Sequence, residues 1–189
     1  SNRHRTIVAK YKKMLNDQLF YQNIKTSPGI WLAYSYRMKK SADILWRRIK
    51  QHSQKVTAKK KFVTMIADYE IMETAPICMM LFGLSLEIIS KAIYLKDHKK
   101  DVNLIEEKFL FSHGIFKFIK HISSGLLISK ERKDLISRLE ESVFWAGRYP
   151  IPKQLNKYKL KNMINSKRFN QYDKKIFESL YVEMENRLK

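Results

Sequence analysis

Cysteine is almost missing from this chain of 189 residues: Cys78 stands alone in it. No internal disulfide can form, so a reducing interior suits the protein and a buried structural thiol is the expected role. Glycine and proline are scarce too, at five and four residues. So few turn-forming positions disfavour a many-stranded sheet and favour long helices. No stretch reaches the roughly 18–20 charge-free apolar residues of a membrane span, because the longest apolar run, Ala75 to Leu95, is interrupted by Glu87 and Lys91. The first residues also lack the apolar core of a signal peptide. Together these absences set the expectation of a cytoplasmic protein with no membrane partner.

Chemical signatures are absent as well. There is no zinc-ligand spacing, no glycine-rich phosphate loop, no Gly-x-Ser-x-Gly and no dinucleotide fingerprint, which argues against the common metal, NTPase, hydrolase and redox classes. Five histidines and one cysteine are scattered along the chain. Neither a metal nor a cofactor is expected.

Acidic residues are the last shortage: 18 Asp and Glu stand against 38 Lys and Arg, a formal net charge of +20. The imbalance sits at the two ends. Residues 1–61 carry 16 basic and 2 acidic side chains, residues 62–156 carry 13 and 12, and residues 157–189 carry 9 and 4. The middle is thus a near-neutral packing unit, and the basic ends attract polyanions. Arg37, Lys39, Lys40, Arg47 and Arg48, with Lys59, Lys60 and Lys61 of the Lys55–Lys61 cluster, form the expected nucleic-acid surface.

What is present has helical periodicity. Ile7, Tyr11, Met14, Leu15 and Leu19 are spaced for a docking helix or arm within residues 1–27. Ser27-Pro28 reads as an N-cap followed by an N1 proline, opening a helix to about His52 whose inner stripe is Trp31, Tyr34, Met38, Ala42, Leu45 and Ile49. A short helix from Phe62 to Glu73 is expected to kink into, or continue as, the central helix Ala75–Leu95, for which Thr74 is the natural N-cap. At about 100° per residue, Gly83, Glu87, Ser90, Lys91 and Tyr94 line up as one small and polar strip on this otherwise apolar cylinder. Spacing allows two readings: a surface ion pair at the rim of a core helix, or a strip facing an enclosed polar pocket.

Downstream, a helical turn is expected in Val102–Phe109, and Ser112 is positioned to cap a helix over His113–Ser123 with Ile115, Phe116, Ile119 and Ile122 inward. A helix from Ser129 to about Trp145 has Leu135, Leu139, Val143 and Phe144 as its buried stripe and Gly147 as its C-cap. A final helix near Tyr172–Leu188 turns Ile176, Leu180 and Met184 inward, with Tyr181 beside them.

The segments Phe82-Gly83-Leu84-Ser85-Leu86-Glu87-Ile88-Ile89-Ser90-Lys91, Ser112-His113-Gly114-Ile115 and Val143-Phe144-Trp145-Ala146-Gly147-Arg148-Tyr149-Pro150-Ile151-Pro152, in this order, resemble an uncharacterised bacterial group of the HEPN-like superfamily. The resemblance covers about residues 28–155. It implies an all-α, up-and-down helical bundle over 28–156, with extra helices in the basic arm 1–27 and the C-terminal extension 157–189. It further implies a homodimer that binds RNA or a nucleotide in a toxin–antitoxin or phage-defence setting, or a non-catalytic module that docks a nucleotidyltransferase or antitoxin partner. The superfamily's metal-independent ribonucleases carry Arg followed four to six residues later by His. Arg148 is followed here by Tyr149, Pro150, Ile151, Pro152, Lys153 and Gln154, so that histidine is missing.

In such a bundle Glu87, Lys91, His113 and Arg148 converge. His113 is then the candidate acid/base, Lys91 and Arg148 the phosphate or oxyanion donors, Glu87 the residue orienting one of them, and Tyr149 a neighbour in the phosphate-binding group. The alternative is a hydrogen-bonded network fixing three helices in register, with Trp145 and Tyr149 packed around it.

Overall fold

The computed structural model describes residues 16–21, 23–58, 64–98, 110–122, 126, 128–146 and 169–189. All regular structure among them is helical. The helices are α1 (Pro28–Ala58), α2 (Thr64–Asp97), α3 (Ile115–His121), α4 (Lys130–Glu141), which runs into a π-helical turn (Ser142–Ala146), and α5 (Gln171–Asn186). Residues 16–21 and 23–25 are helical and precede α1. The chain is therefore all-α, as its composition indicates.

The start of α1 follows the Ser27-Pro28 signal: the Ser27 carbonyl accepts from the N–H groups of Ile30 and Trp31. Its inner face is not quite the expected stripe. Ala42 and Ile49 are buried and Leu45 packs on the core, but Tyr34 is exposed and Ser35 takes the buried position. A small hydroxyl there lets α1 approach α2. Ser35 Oγ donates to the Ser85 carbonyl at 2.8 Å and lies 2.9 Å from the Tyr181 hydroxyl of α5, tying three helices at one point.

The central helix α2 begins at Thr64 and passes through Pro76 without ending. Thr74 is consequently an interior residue and not an N-cap. A single helix runs through Pro76, whose missing donor removes one hydrogen bond from it. Met79, Phe82, Leu86, Ile89 and Ile93 are fully buried, meeting Phe118 and Ile119 of α3, Leu135 and Leu139 of α4, and Phe177 and Leu180 of α5 in one core cluster. Thr74–Asp97 is long and apolar enough to cross a membrane by length and composition, and 72% of its apolar window is buried inside the protein.

Cys78 is buried, its thiol directed at the Ala42 carbonyl at 3.4 Å, and burial pushes its pKa up to about 12. It is a packing group.

Several expectations shift in detail. Leu19 is exposed, so the segment before α1 does not bury that position, while Ile7, Tyr11, Met14 and Leu15 lie outside the described residues. The Val102–Phe109 turn and the Gly147 cap lie outside them as well. Ser112 does not cap α3; Gly114 holds the N-cap position with no side-chain cap bond, and the Ser112 hydroxyl accepts from Lys117 Nζ. Phe144 is exposed although Val143 is buried. At about 100° per residue Phe144 stands roughly opposite Leu135, off the buried face of Leu135, Leu139 and Val143, and it keeps that outward position in the π-helical turn. The Asn170 side chain and Asp173 form a reciprocal capping box at the start of α5.

Gly83 sets the distance between α2 and the end of α4. A Cβ added there would lie 2.6 Å from Val143 Cγ2 and 2.8 Å from the Leu139 carbonyl oxygen. Alanine at an open helical position stabilises by up to about 1 kcal/mol over glycine, so the sign is diagnostic here. Gly83→Ala is expected to destabilise by about 1–3 kcal/mol, measured by urea unfolding. Adding Val143→Ala should recover only part of the loss, because the Leu139 carbonyl cannot be trimmed.

Between α1 and α5 lies a four-member charge cluster. Lys39 Nζ is 2.9 Å from Asp43 Oδ2 and 3.0 Å from Glu178 Oε1, and Lys174 pairs with Glu178. Lys174 Nζ also sits 2.9 Å from Asp43 Oδ1, close enough for an ion pair though off the hydrogen-bonding direction. Burial alone would raise the Asp43 pKa; the Lys174 and Lys39 contacts outweigh it and hold the carboxyl below its ordinary 3.8. Burial would lower that of Lys39, but its bonds to Asp43 and Glu178 raise it above 10.5. A depressed carboxyl stabilises fully above its unfolded pKa and loses that contribution as pH falls through the folded value; a raised lysine loses its contribution as pH climbs past the folded value. Asp43→Asn is expected to cost about 1 kcal/mol at neutral pH. The gap from wild type should close below pH 3.8 and narrow above pH 10.5, as read by denaturant unfolding across pH.

Candidate functional site

Glu87 is the starting point, because its carboxylate is 1% exposed in an apolar helix. A bare carboxylate in that position is costly, so it has to collect donors. Three reach it. Lys91, one turn on in α2, places Nζ 2.7 Å from Oε1; His113 Nδ1 is 3.1 Å from the same oxygen; and the Gly114 N–H donates to Oε2 at 3.3 Å. The Lys91 ammonium is itself buried, 5.0 Å from the centroid of the Phe118 ring and 5.7 Å from that of Trp31. Aromatic faces there replace part of its lost hydration.

The loop before α3 delivers the imidazole. Gly114 has φ +132°, a backbone that side-chain-bearing residues rarely adopt, and this turns its N–H onto Glu87. On the other side Glu140 of α4 accepts from the Phe116 N–H at 3.3 Å. The segment is held between carboxylates from two helices. Its histidine is not enclosed: the His113 side chain is 47% exposed, and its Nε2 makes no hydrogen bond among the described residues.

This arrangement fixes a tautomer. Since Glu87 accepts, Nδ1 carries the proton and, in the neutral ring, Nε2 presents its lone pair to solvent. A carboxylate that orients a histidine in this way leaves it suited to take a proton from a bound hydroxyl. Comparison with protein-family models, curated proteins and solved structures finds no match.

Of the residues singled out in the sequence, Glu87, Lys91 and His113 are brought together, while Arg148 and Tyr149 lie outside the described residues. The polar strip of α2 does face inward. Its Gly83 meets Val143 and Leu139, and Ser90 Oγ donates to the Leu86 carbonyl. Among the described residues of the cluster, His113 is the exposed one. Among the basic residues, Arg37, Lys40, Arg47 and Arg48 are exposed on α1, and Lys59, Lys60 and Lys61 lie outside the described residues. Lys39 departs from this group, being turned inward onto Asp43, Glu178 and the Tyr181 ring. Sequence reasoning missed the Gly114 N–H and the two rings around Lys91. A glycine directly after His113 was the available sign of the first.

Breaking one side of a buried pair strands the other charge. Glu87→Gln is expected to destabilise by about 3–5 kcal/mol, with Lys91→Met in the same chain restoring part of it. Urea unfolding of the two single variants and the double variant measures the coupling.

Proposed function

We propose that the protein is a HEPN-like, dimeric, cytoplasmic RNA-binding protein of a toxin–antitoxin or phage-defence system, with His113 as its acid/base. The observation that carries this reading is the 3.1 Å contact between His113 Nδ1 and the buried Glu87 carboxylate. A formal charge of +20, with Arg37, Lys40, Arg47 and Arg48 exposed on α1, supports a phosphate-rich ligand.

The chemistry that suits one oriented imidazole is transesterification of RNA. Nε2 takes the proton of the ribose 2′-hydroxyl as that oxygen bonds to the adjacent phosphorus; the bond to the 5′-oxygen breaks, and water returns a proton to the leaving oxygen. Glu87 stabilises the imidazolium that forms, and Arg148 is assigned to the phosphate on the sequence reading. Lys91 is a positioning residue for Glu87, because its ammonium is enclosed by Trp31 and Phe118.

A second reading, a non-catalytic module that docks a nucleotidyltransferase or antitoxin, is favoured by Leu19 and Phe20, which are 62% and 68% exposed. Ionic strength separates the two. RNA binding through several phosphate contacts should weaken by orders of magnitude between about 50 and 200 mM salt, whereas an apolar docking surface should respond little. For catalysis, total RNA is incubated with the protein in EDTA. Cleavage by wild type that drops about 10²–10⁴-fold in His113→Ala is the expected result, with Arg148→Ala also impaired. Equal traces of cleavage in all three proteins would refute the nuclease.

A further inference from the structure

Beside the Glu87 cluster is a cavity of about 290 Å³ whose lining is almost wholly apolar. Tyr21, Trp31, Tyr34 and Phe111 form its walls, with Ile30 and Ile88 among them. That size is at the small end for ligand pockets and admits one ring system, too little for a folded peptide segment. Tyr21, Tyr34 and Phe111 are each more than half exposed and make the mouth.

We infer that this cavity is a stacking subsite for one base of single-stranded RNA, adjoining the His113–Glu87 pair. The inference rests on the RNA-binding reading above and adds to it the place where a base is held. Aromatic walls suit a π-face regardless of base identity. The rings are braced for it: Trp31 Nε1 donates to the Lys25 carbonyl at 2.8 Å, and the Trp31 and Phe111 centroids are 6.5 Å apart with their planes at 51°. The Arg37 guanidinium stands 5.3 Å from the centroid of the Tyr34 ring, so a cation that can pair with phosphate accompanies one of the lining aromatics. The two sites are also joined by the chain. Phe111 of the mouth is two residues from His113, at most about 7 Å of extended backbone, and Ile88 of the wall follows Glu87 in α2. The inferred subsite thus lies one short loop from the exposed His113 ring.

The test is fluorescence anisotropy of a labelled single-stranded RNA hexamer and of the same oligomer carrying abasic riboses. Both are titrated at 50 and 200 mM salt with full-length wild type, Phe111→Ala and Tyr34→Ala. Phe111 and Tyr34 are exposed, so their truncation leaves the core in place, and circular dichroism verifies it. Each variant is expected to bind the RNA about 5- to 100-fold more weakly than wild type, with an unchanged salt slope, while the abasic oligomer binds all three proteins alike. Variants that match wild type on RNA, with wild type still binding in a salt-dependent way, overturn the stacking subsite and leave RNA binding intact. A wild type that does not bind the RNA at 50 mM salt overturns the RNA-binding reading and the subsite with it.

Discussion

The burial of one carboxylate constrains the rest of the molecule. Glu87 lies in the middle of the most apolar helix, where an ionised group survives only if every oxygen lone pair facing the protein finds a donor. Lys91 comes from the same helix, but His113 and the Gly114 N–H come from a loop that α2 alone cannot position. Satisfying Glu87 therefore fixes where the segment before α3 crosses α2. It also requires Trp31 of α1 and Phe118 of α3 to close over the lysine. Helices from three parts of the chain are brought into register by a single charge.

The same constraint produces the chemical character of the surface at that point. A histidine recruited to neutralise a buried acid must turn one nitrogen inward, and the other then faces out with its tautomer determined. Satisfaction of the buried Glu87 and the outward face of His113 are thus one arrangement seen from two sides. Gly83 makes the geometry reachable by letting the Leu139–Val143 segment pack directly on the α2 backbone. The clasp of Ser35, Ser85 and Tyr181 and the cluster of Lys39, Asp43, Lys174 and Glu178 then bind α5 to α1 and α2.

Much of this was legible in the sequence, and the parts that were not have identifiable physics. The i,i+4 spacing of Glu87 and Lys91 in an apolar run, and a histidine at the start of a later helix, are patterns that side-chain periodicity exposes. Periodicity combined with apolar character placed Phe144 in the stripe, although at about 100° per residue it stands roughly opposite Leu135 and is exposed. It also ranked Tyr34 with the core because helical spacing does not distinguish a buried aromatic from one at a cavity mouth. A Thr-x-Pro sequence has the form of a helix start, yet α2 runs from Thr64 through Pro76, because a proline costs a helix one donor without having to end it. The Gly114 donor had one sign, the glycine itself, but a glycine marks an unusual backbone without saying which group its N–H meets.

The account depends most directly on which imidazole nitrogen of His113 carries the proton. Long-range ¹H–¹⁵N correlation of the histidine side chains, at a pH where the ring is neutral, reports this without any assumption about ligand. With Glu87 in place, Nδ1 should be protonated and Nε2 bare, and the preference should relax in a chain with Glu87→Gln that is shown to be folded. A ring protonated at Nε2 in the native protein, and unchanged by that substitution, would contradict the claim that the buried carboxylate holds His113.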